Sequence, residues 1–482
     1  MLSKDEQIVE LKGLLLEVQT TNSKQAAIIS EHAQCHSEQA CYITELENRI
    51  VEMANMITDY DQKLATLSVK KNSNNSSIPP SVDFARKNKS LRISSGRPAG
   101  GQMGHTGHHL PLRDHADVVI KLSPDCCSGC GGDLSLVTGV MKGRRQVVDI
   151  PPVKPVYTEY QQYVKQCPCC SKLQSAPYPP DVTNHIQYGV NVQTAVVYNW
   201  LYQYLPFERL QKWFSDIFNL SIGKGTLENI IRKATRLAQP AYELIRQRLL
   251  SAKKVGSDET GMKVNGDKQW IWVWQNDELT FLYCSDNRGA ATITTLFPDG
   301  FKLSVLVSDR WRAQLSTPAA GHQLCLAHLL RELQFIIEVE KECETAPKIK
   351  KVLQMGIEQK RLFPESQTSN ETCIGIEREL DNLLNVEIEK KQFPLTKTLQ
   401  NSLLKHRNHI FVFLYHKDVP YENNGSERSI RMVKVKQKIS GCFKSLQQDF
   451  CVLKSVVDTR IKKGQDAMTI IRNLIMLGHI NI

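Results

Sequence analysis

Residues 253–285, KKVGSDETGMKVNGDKQWIWVWQNDELTFLYCS, decide the fold of this chain. The first part of this stretch ends at Asn265-Gly266, a dipeptide that strongly favours a two-residue hairpin turn. QWIWVWQ at 269–275 has the composition of a strand, and a second turn at Asn276-Asp277 leads into LTFLYCS at 279–285. We therefore predict three successive antiparallel strands.

The next segments add a helix and a fourth strand. ATITTLF at 291–297 has helical character, and LSVLVSD at 303–309 is a short apolar run typical of a buried parallel strand. The order βββαβ is that of the ribonuclease-H-like fold, in which one Asp lies on the first strand and a second Asp ends the fourth. The matching residues are Asp258 and Asp309.

A third carboxylate is needed to hold two divalent ions about 4 Å apart, one activating the attacking oxygen and one stabilising the leaving oxygen. NNGSERSIRMVKVKQKISGCFKS at 423–445 places Glu427 near the start of a helix. On charge pattern alone, a solvated basic helix with an ordinary Glu is the better interpretation. The basic residues that could hold a phosphate backbone there are Arg428, Arg431, Lys434, Lys436, Lys438 and Lys444.

Two CxxC pairs, Cys127 with Cys130 and Cys167 with Cys170, are separated by 36 residues. Four thiolates suit tetrahedral Zn²⁺, and because they leave the ion no open position we expect a structural site. VYTEYQQYVKQ at 156–166 has strand character and lies between the pairs. A redox role is the alternative to metal binding.

The identity of the zinc ligands stays open, because Cys126 and Cys169 adjoin the pairs and either could replace its neighbour. We expect the zinc site to stabilise a small module that contacts DNA through Arg144 and Arg145.

An alternating spacing of three and four residues runs in one register from Ile8 to Leu67, which gives a seam about 90 Å long if helical. Polar residues weaken its middle, so we expect two apolar blocks around a loosened or bent centre, and self-association through residues 8–67. A helical hairpin packed on its own chain is the alternative. The polar seam residues are Asn22, Gln25, His32, His36 and Gln39.

Residues 186–250 are predicted to be helical, with the turn SIGKG at 221–225 before Thr226. This arrangement resembles a helix-turn-helix, which would bring Lys224 to DNA. An ordinary pair of helices is the alternative.

Charge is distributed unevenly along the 482 residues. Residues 1–67 contain five Lys or Arg and eleven Asp or Glu, a net of −6, so the total of +11 leaves +17 on the remainder. A basic body suits a polyanionic partner, although such a surface also serves solubility. No apolar run approaches the roughly 20 residues of a membrane helix, and we expect a cytoplasmic protein.

The predicted class is therefore multidomain α/β. The expected divisions are a coiled coil (1–69), a basic linker (70–109), a zinc-binding domain (110–183), a helical domain (184–252), the first part of a catalytic core (253–329), a helical insertion (330–420) and the end of the core (421–482).

From about residue 40 onward the chain resembles the insertion-sequence-66 transposase family. The segments that carry the resemblance are NSNNSSIPPS at 72–81, GGQMGHTGH at 100–108, the two CxxC pairs, LPFERL at 205–210, TLENII at 226–231, SDET at 257–260, CLAHLLREL at 325–333 and NNGSER at 423–428.

This resemblance implies a transposase with Asp258, Asp309 and Glu427 as its catalytic triad, using two Mg²⁺ (or Mn²⁺) ions. It also implies that the 118 residues from Asp309 to Glu427 contain a largely helical insertion. We expect Cys325, His328 and Arg331 to pack near the active site. His328 and Arg331 are candidate DNA contacts, and a buried, hydrogen-bonded histidine is the alternative for His328.

One departure concerns activity. In the family Gly and Tyr usually follow the second aspartate, whereas Arg310 and Trp311 follow Asp309 here. An arginine at this position could pair with the carboxylate or contact DNA.

The expected function is binding of an element's terminal inverted repeats, followed by Mg²⁺-dependent strand cleavage and transfer to target DNA, with accessory proteins of the same element as further partners. Two alternatives are open. One is a degenerate transposase that binds double-stranded DNA without cutting it, which Arg310 favours. The other is a structure-specific nuclease of the same fold.

Overall fold

The computed structural model describes residues 4–72, 74–76, 78, 103–107, 110–364 and 371–482. Most of the predicted linker at 70–109 therefore lies outside the described residues. The described chain is mixed α/β and multidomain, with an N-terminal helix and a mixed sheet. In these described ranges, no helix has both the length and the apolar character needed to cross a bilayer.

The N-terminal segment is one continuous helix, α1 (Lys4–Ser68), with its large apolar side chains exposed. The helix runs unbroken through His32 and His36, where we expected a loosened or bent centre. Polar seam residues change what a helix can pack against. They do not remove its backbone hydrogen bonds, and neighbouring Ala, Gln and Glu residues favour helix.

The cysteine-rich region contains one antiparallel pair, β1 (Val164–Gln166) and β2 (Leu173–Ser175), in which Lys165 is opposite Gln174. The longer strand expected over 156–166 forms only at its end, because only those residues have a strand partner in β2. The turn that holds Cys167 and Cys170 connects the two strands.

Three helices precede the sheet: α2 (Val190–Leu201), α3 (Phe207–Phe218) and α4 (Lys224–Leu250). A left-handed residue, Asn219, ends α3 and lets the chain turn toward α4. The buried stripe of α4 repeats every three or four residues, which keeps it on one face. Its members are Leu227, Ile231, Ala234, Ala238, Ala241, Ile245 and Leu249.

The central sheet has the strand order β5-β4-β3-β6-β7. The pairs β3/β4 and β4/β5 are antiparallel, whereas β3/β6 and β6/β7 are parallel. Asn265 and Gly266 both have positive φ, as the predicted hairpin turn requires. The element bounds are β3 (Lys254–Val264), β4 (Asp267–Gln275), β5 (Thr280–Ser285), α5 (Ala290–Leu296), β6 (Phe301–Ser308), α6 (Arg312–Leu315) and β7 (Ala319–Leu324).

Helices follow the sheet in two groups. The first group occupies the predicted insertion and the second follows it. Their bounds are α7 (Leu326–Val339), α8 (Thr345–Leu362), α9 (Glu371–Leu384), α10 (Pro394–Lys405), α11 (Val412–Tyr415), α12 (Asn424–Ser440), α13 (Gln447–Lys462) and α14 (Ala467–Leu477).

The sheet separates two apolar cores, and the alternation of β6 shows how. Leu306 belongs to the core shared with α2–α4 and α12–α14, whereas Val305 and Val307 belong to the core shared with α7–α11. Successive side chains of a strand point to opposite faces, so both faces of the sheet are covered by helices. This packing fixes the positions of β3 and β6, the two strands on or beside which the aspartates lie.

Candidate active site

Asp258 lies in the middle of β3, and Asp309 directly follows the last residue of the neighbouring parallel strand β6. Gly256 of β3 is in register with Val307 of β6, and each aspartate comes two residues later in the chain. Burial, followed by the charges of Glu259, Asp309 and Glu427, raises the pKa of Asp258 well above its ordinary value. Acidic side chains from three separate elements thus surround one buried carboxyl group.

Glu427 lies in the first turn of α12, and Asn423 ties that turn to β3. The Asn423 side-chain amide donates to the Ser257 backbone oxygen at 2.7 Å, and its own oxygen accepts from Ser426 Oγ at 2.7 Å. Gly256 makes this approach possible, because a Cβ there would lie 2.6 Å from Asn423 Oδ1. The helix start is therefore held directly beside the strand that carries Asp258.

Two basic side chains of α7 contact the Glu427 carboxylate. His328 Nε2 lies 3.6 Å and Arg331 Nη2 lies 3.4 Å from Glu427 Oε1. Burial, and then the charge of Arg331, lowers the pKa of His328. Cys325, which precedes α7, accepts a hydrogen bond through Sγ from the Asn423 backbone N–H at 3.2 Å. His328 and Arg331 thus contact Glu427, and Cys325 contacts the residue that precedes the helix of Glu427.

The side chain of Arg310 pairs with residues other than Asp258, Asp309 and Glu427. Its guanidinium forms an ion pair with Glu332 of α7 and donates to Ser402 Oγ of α10 at 2.8 Å. It therefore ties the segment after Asp309 to the helical insertion. Trp311 instead turns back, since its backbone N–H donates to Asp309 Oδ1 at 2.9 Å.

The basic residues of α12 divide into exposed and buried groups. Arg428, Arg431 and Lys438 are exposed, whereas Lys434 is half-buried and donates to the Gly261 backbone oxygen. The expectation that Lys436 contacts DNA is wrong in this conformation, because Lys436 is only 4% exposed.

Lys436 occupies a cavity lined by aromatic rings. Its ammonium donates to the Trp200 backbone oxygen at 3.0 Å and lies 4.4 Å from the centre of the Trp200 ring. Burial lowers the pKa of Lys436 to about 7. Lys436 continues the buried stripe of Ser426, Ile430 and Val433, and this three- and four-residue spacing is the sequence signal that identifies it as an inward-facing residue.

Both CxxC pairs have the same backbone turn. Gly131 N donates to the Cys127 oxygen at 2.8 Å and Ser171 N to the Cys167 oxygen at 2.9 Å, and both donors have positive φ. Hydrogen bonds from backbone N–H groups lower the pKa of Cys127 and of Cys167, which favours the thiolate that a metal requires.

The remaining predicted DNA contacts lie on the surface. Arg144 and Arg145 are exposed in the cysteine-rich region, where Arg144 lies 3.9 Å from Asp114. Lys224 is exposed at the first residue of α4. None of these three residues contacts Asp258, Asp309 or Glu427.

Comparison with protein families gives three matches along the chain. The Transposase IS66 family matches residues 185–448, which is more than half of the chain and includes both aspartates and Glu427. This chain belongs to the IS66 transposase family. The zinc-finger binding domain of transposase IS66 matches residues 124–171, and a family of unknown function matches residues 20–111. Among curated proteins none gives a significant match.

In this IS66 transposase the zinc-finger match contains both CxxC pairs. Among the described residues, no group of three or more His, Cys, Asp or Glu side chains lies close enough together to bind a metal ion. The two CxxC pairs are thus too far apart to share one ion. The carboxylates of Asp258, Asp309 and Glu427 lie near one another but are not arranged as metal ligands. Thiolates converge through their bonds to the ion, so zinc binding here requires the two turns to approach each other.

Sequence reasoning missed Glu259 of the transposase, although it belongs to the SDET segment. Its side chain is 2% exposed and pairs with Arg288 at 2.9 Å. Burial, and then the charge of Asp309, raises the pKa of Glu259, while Arg288 opposes the rise. Its position directly after Asp258 was the only signal in the sequence. Its partners Arg288 and Gln314 are distant in sequence, so their contacts could not be predicted.

Proposed function

We propose that this IS66 transposase binds the terminal inverted repeats of its element, cleaves the DNA at the element ends and joins the freed 3′ hydroxyls to target DNA. The observation that carries the proposal is that the IS66 transposase match includes Asp258, Asp309 and Glu427, which the β3/β6 pairing and the Asn423–Ser257 hydrogen bond bring together. Carboxylates crowded in this way repel one another, and a divalent cation relieves the repulsion.

We propose that the sheet is a ribonuclease-H-like core. The support is the strand order β5-β4-β3-β6-β7, with the first three strands antiparallel and the fourth and fifth parallel to β3. Asp258 lies on the first strand of this core and Asp309 ends the fourth. The helical insertion and the N-terminal and zinc-binding regions are proposed as separate domains with the boundaries given above.

We propose that Asp258 and Asp309 hold Mg²⁺ or Mn²⁺ and that Glu427 completes the site. When bound, two such ions activate the attacking oxygen and stabilise the leaving oxygen. His328 and Arg331 both contact Oε1 of Glu427, so Oε2 is the oxygen that we assign to metal binding. No protein nucleophile is needed, because positioning and charge neutralisation provide most of the catalysis in phosphoryl transfer.

The DNA backbone would lie along the exposed side of α12. Arg428 and Arg431 follow Glu427 by one residue and by one helical turn, so they place positive charge beside the acidic group. We propose further contacts from residues near the site or on the other domains: His328, Arg331, Lys434, Lys438, Lys224, Arg144 and Arg145.

Two other regions support assembly on DNA. Cys127, Cys130, Cys167 and Cys170 would bind a structural Zn²⁺, because their two turns match in hydrogen bonding and in the position of the positive-φ residue. The exposed apolar seam of α1 would pair with a second copy of the chain. We propose that the protein works in the bacterial cytoplasm, together with accessory proteins of the same element.

The test uses the full chain, labelled element ends and Mg²⁺. Asp258→Asn, Asp309→Asn and Glu427→Gln are each expected to abolish cleavage and joining while DNA binding survives. Asp277→Asn is the matched control, because Asp277 pairs with Lys254 at 2.7 Å and belongs to a surface turn. Full cleavage by all three variants would refute the mechanism.

The alternatives are separable in the same assay. A degenerate DNA-binding protein would bind the ends without cutting them, but its support is weakened because Arg310 pairs with Glu332 and not with a catalytic carboxylate. A structure-specific nuclease would cut branched DNA lacking the end sequences and would not join strands.

A further inference from the structure

Glu259 is a buried carboxylate whose two oxygens both accept hydrogen bonds. Arg288 donates to Oε1 through Nε at 3.0 Å and approaches it through Nη2 at 2.9 Å. Gln314 donates to Oε2 through Nε2 at 2.7 Å. Although Glu259 follows Asp258 directly, its side chain is therefore engaged by protein groups.

Both partners of Glu259 connect it to the segment that carries Asp309. Gln314 belongs to α6, five residues after Asp309, and is fully buried. Arg288 stacks on the Trp311 ring with its guanidinium carbon 3.9 Å from the ring centre, and its backbone oxygen accepts from Trp311 Nε1 at 3.3 Å. Trp311 in turn donates its backbone N–H to Asp309 Oδ1 at 2.9 Å.

Two tryptophan rings contact Arg288. Its guanidinium carbon lies 3.9 Å from the centre of the Trp311 ring and 4.7 Å from the centre of the Trp270 ring. A planar guanidinium can stack on two rings and still donate two hydrogen bonds in its own plane to a carboxylate, which an ammonium cannot do. The position of Arg288 is thus set by three side chains at once.

These contacts continue the connection between the two strands beyond their backbone pairing. The backbone register of β3 with β6 ends at Gly256 and Val307, two residues before the aspartates. From there one route runs from Glu259 through Gln314, and a second runs through Arg288 and Trp311. Both end on the segment that begins with Asp309.

We propose that Glu259 is a positioning residue that fixes the spacing of the Asp258 and Asp309 carboxylates through Gln314 and Arg288, and is not itself a metal ligand. The proposal rests on the proposed function, in which those two aspartates hold the metal ions. A positioned pair binds an ion without first having to bring together two groups of like charge.

The test measures Mn²⁺ binding to the metal-free full-length protein, using the electron paramagnetic resonance signal of unbound Mn²⁺. Asp258→Asn defines how much of the binding belongs to the site. Glu259→Gln keeps one acceptor oxygen but presents an amide N–H₂ to the other donor and removes the charge that pairs with Arg288, and it is expected to raise the Kd for Mn²⁺ about tenfold. Cleavage should recover when Mn²⁺ is raised by the same factor.

Glu243→Gln is the matched control. Glu243 pairs with Arg246, which donates through Nε to both carboxylate oxygens at 3.0 Å, and it lies on α4 outside the acidic group. The control variant is expected to keep the Mn²⁺ affinity of the wild type. Melting temperatures of all variants show whether a change in affinity accompanies unfolding.

A second pair of variants protects the test against misfolding. Arg288→Met leaves a buried carboxylate unpaired, so the double variant Glu259→Gln with Arg288→Met is compared with each single variant. If Glu259 acts through Arg288, the double variant binds Mn²⁺ no more weakly than the weaker single variant. Trp311→Phe keeps a ring for stacking and is expected to stay within about threefold of the wild type.

Two results would overturn the proposal. If Glu259→Gln abolishes Mn²⁺ binding while Arg288→Met leaves it unchanged, Glu259 is a ligand. If both variants lower the melting temperature and neither changes the Kd, their role is structural only. Failure of the proposed function is a different outcome, since Asp258→Asn would then bind as much Mn²⁺ as the wild type.

Discussion

The side-chain amide of Asn423 donates a 2.7 Å hydrogen bond to the backbone oxygen of Ser257, the residue before Asp258. The bond joins the helix that carries Glu427 to the strand that carries Asp258, and both of its ends are buried. A hydrogen bond between a side chain and the backbone therefore holds the acidic residues close together although their charges repel one another.

Asn423→Ala is expected to lower the free energy of unfolding by about 1–3 kcal/mol, because the Ser257 oxygen is left buried without its donor. Strand cleavage should fall further than this loss of stability explains, since Glu427 is no longer held. Urea denaturation and cleavage of labelled ends measure the two effects. Asn424→Ala, one residue along, is the control, and an equal effect from that variant would contradict the prediction.

Gly256→Ala is expected to lower cleavage about 100-fold, a loss typical of a displacement of catalytic groups by about 1 Å. The added Cβ would lie 2.6 Å from Asn423 Oδ1 and 2.8 Å from Ser426 Oγ, so the start of α12 must shift. Gly261→Ala on the same strand is the control, because its Cβ would make ordinary contacts with the Trp270 ring at 3.5 Å and with Lys268 Cε at 3.8 Å. Cleavage rates at saturating Mg²⁺ compare the two, and equal activity would show that the approach of α12 is unimportant.

Lys436→Met is expected to remove a pH dependence of stability. Burial lowers the pKa of Lys436 to about 7 in the folded protein, whereas the unfolded chain keeps the ordinary value of 10.5. Between these values the unfolded state binds more protons, so the free energy of unfolding rises with pH by up to about 1.4 kcal/mol per unit. Below about pH 7 both states are protonated and this contribution is constant.

Urea denaturation at pH 7, 8 and 9 measures this slope. The wild type should gain stability over the Lys436→Met variant as the pH rises, with the variant relatively most stable at pH 7 and below. Lys438→Met, an exposed position on the same helix, should keep the slope of the wild type. Parallel curves for wild type and Lys436→Met would show that the buried lysine does not titrate in this range.

Cys127→Ser and Cys167→Ser are each expected to abolish the binding of one zinc ion per chain. Their thiols accept backbone hydrogen bonds within the matching turns, whereas Cys126 lies before its turn and Cys169 inside the other. Metal analysis of purified protein provides the measurement. Cys126→Ser and Cys169→Ser are the controls, and loss of zinc from either would reassign the ligands.

Arg431→Ala is expected to weaken binding to element ends and to non-specific DNA by similar factors. It should also reduce the slope of the logarithm of the binding constant against the logarithm of the salt concentration by about 1. Arg431 is exposed on α12, one turn after Glu427. Fluorescence anisotropy at several salt concentrations tests this. Lys436→Met should leave the slope unaltered, because that side chain faces Trp200, and a reduced slope there would place Lys436 on the DNA after all.

The elements that sequence predicted best are those with local signals. Asn265-Gly266 fixed a hairpin turn, and the apolar run ending at Asp309 marked a buried strand, because turn chemistry and side-chain alternation act over a few residues. Strand β7 was missed, since AAGHQL at 319–324 has neither signal and is extended only because it pairs with β6. The centre of α1 is helical despite its polar seam residues, because these residues affect packing more than helix preference.

The acidic residues were predicted from strand order and family resemblance, but the contacts that hold them were not. Glu259 is 29 residues from Arg288 and 55 residues from Gln314, and Asn423 is 166 residues from Ser257. Hydrogen bonds over such separations depend on the finished fold and leave no periodic pattern. Lys436 shows the opposite error, because a charge was read as exposed although its spacing matched the buried stripe.

The ion pair of Arg310 with Glu332 and the bond to Ser402 limit how this protein can be recombined with its relatives. A helical insertion taken from a transposase in which glycine follows the second aspartate need not provide an acceptor for Arg310. A half-buried guanidinium would then remain unpaired one residue from Asp309. The loop and the insertion must therefore be exchanged together, and in natural descent the residues at 310, 332 and 402 are expected to change as a set.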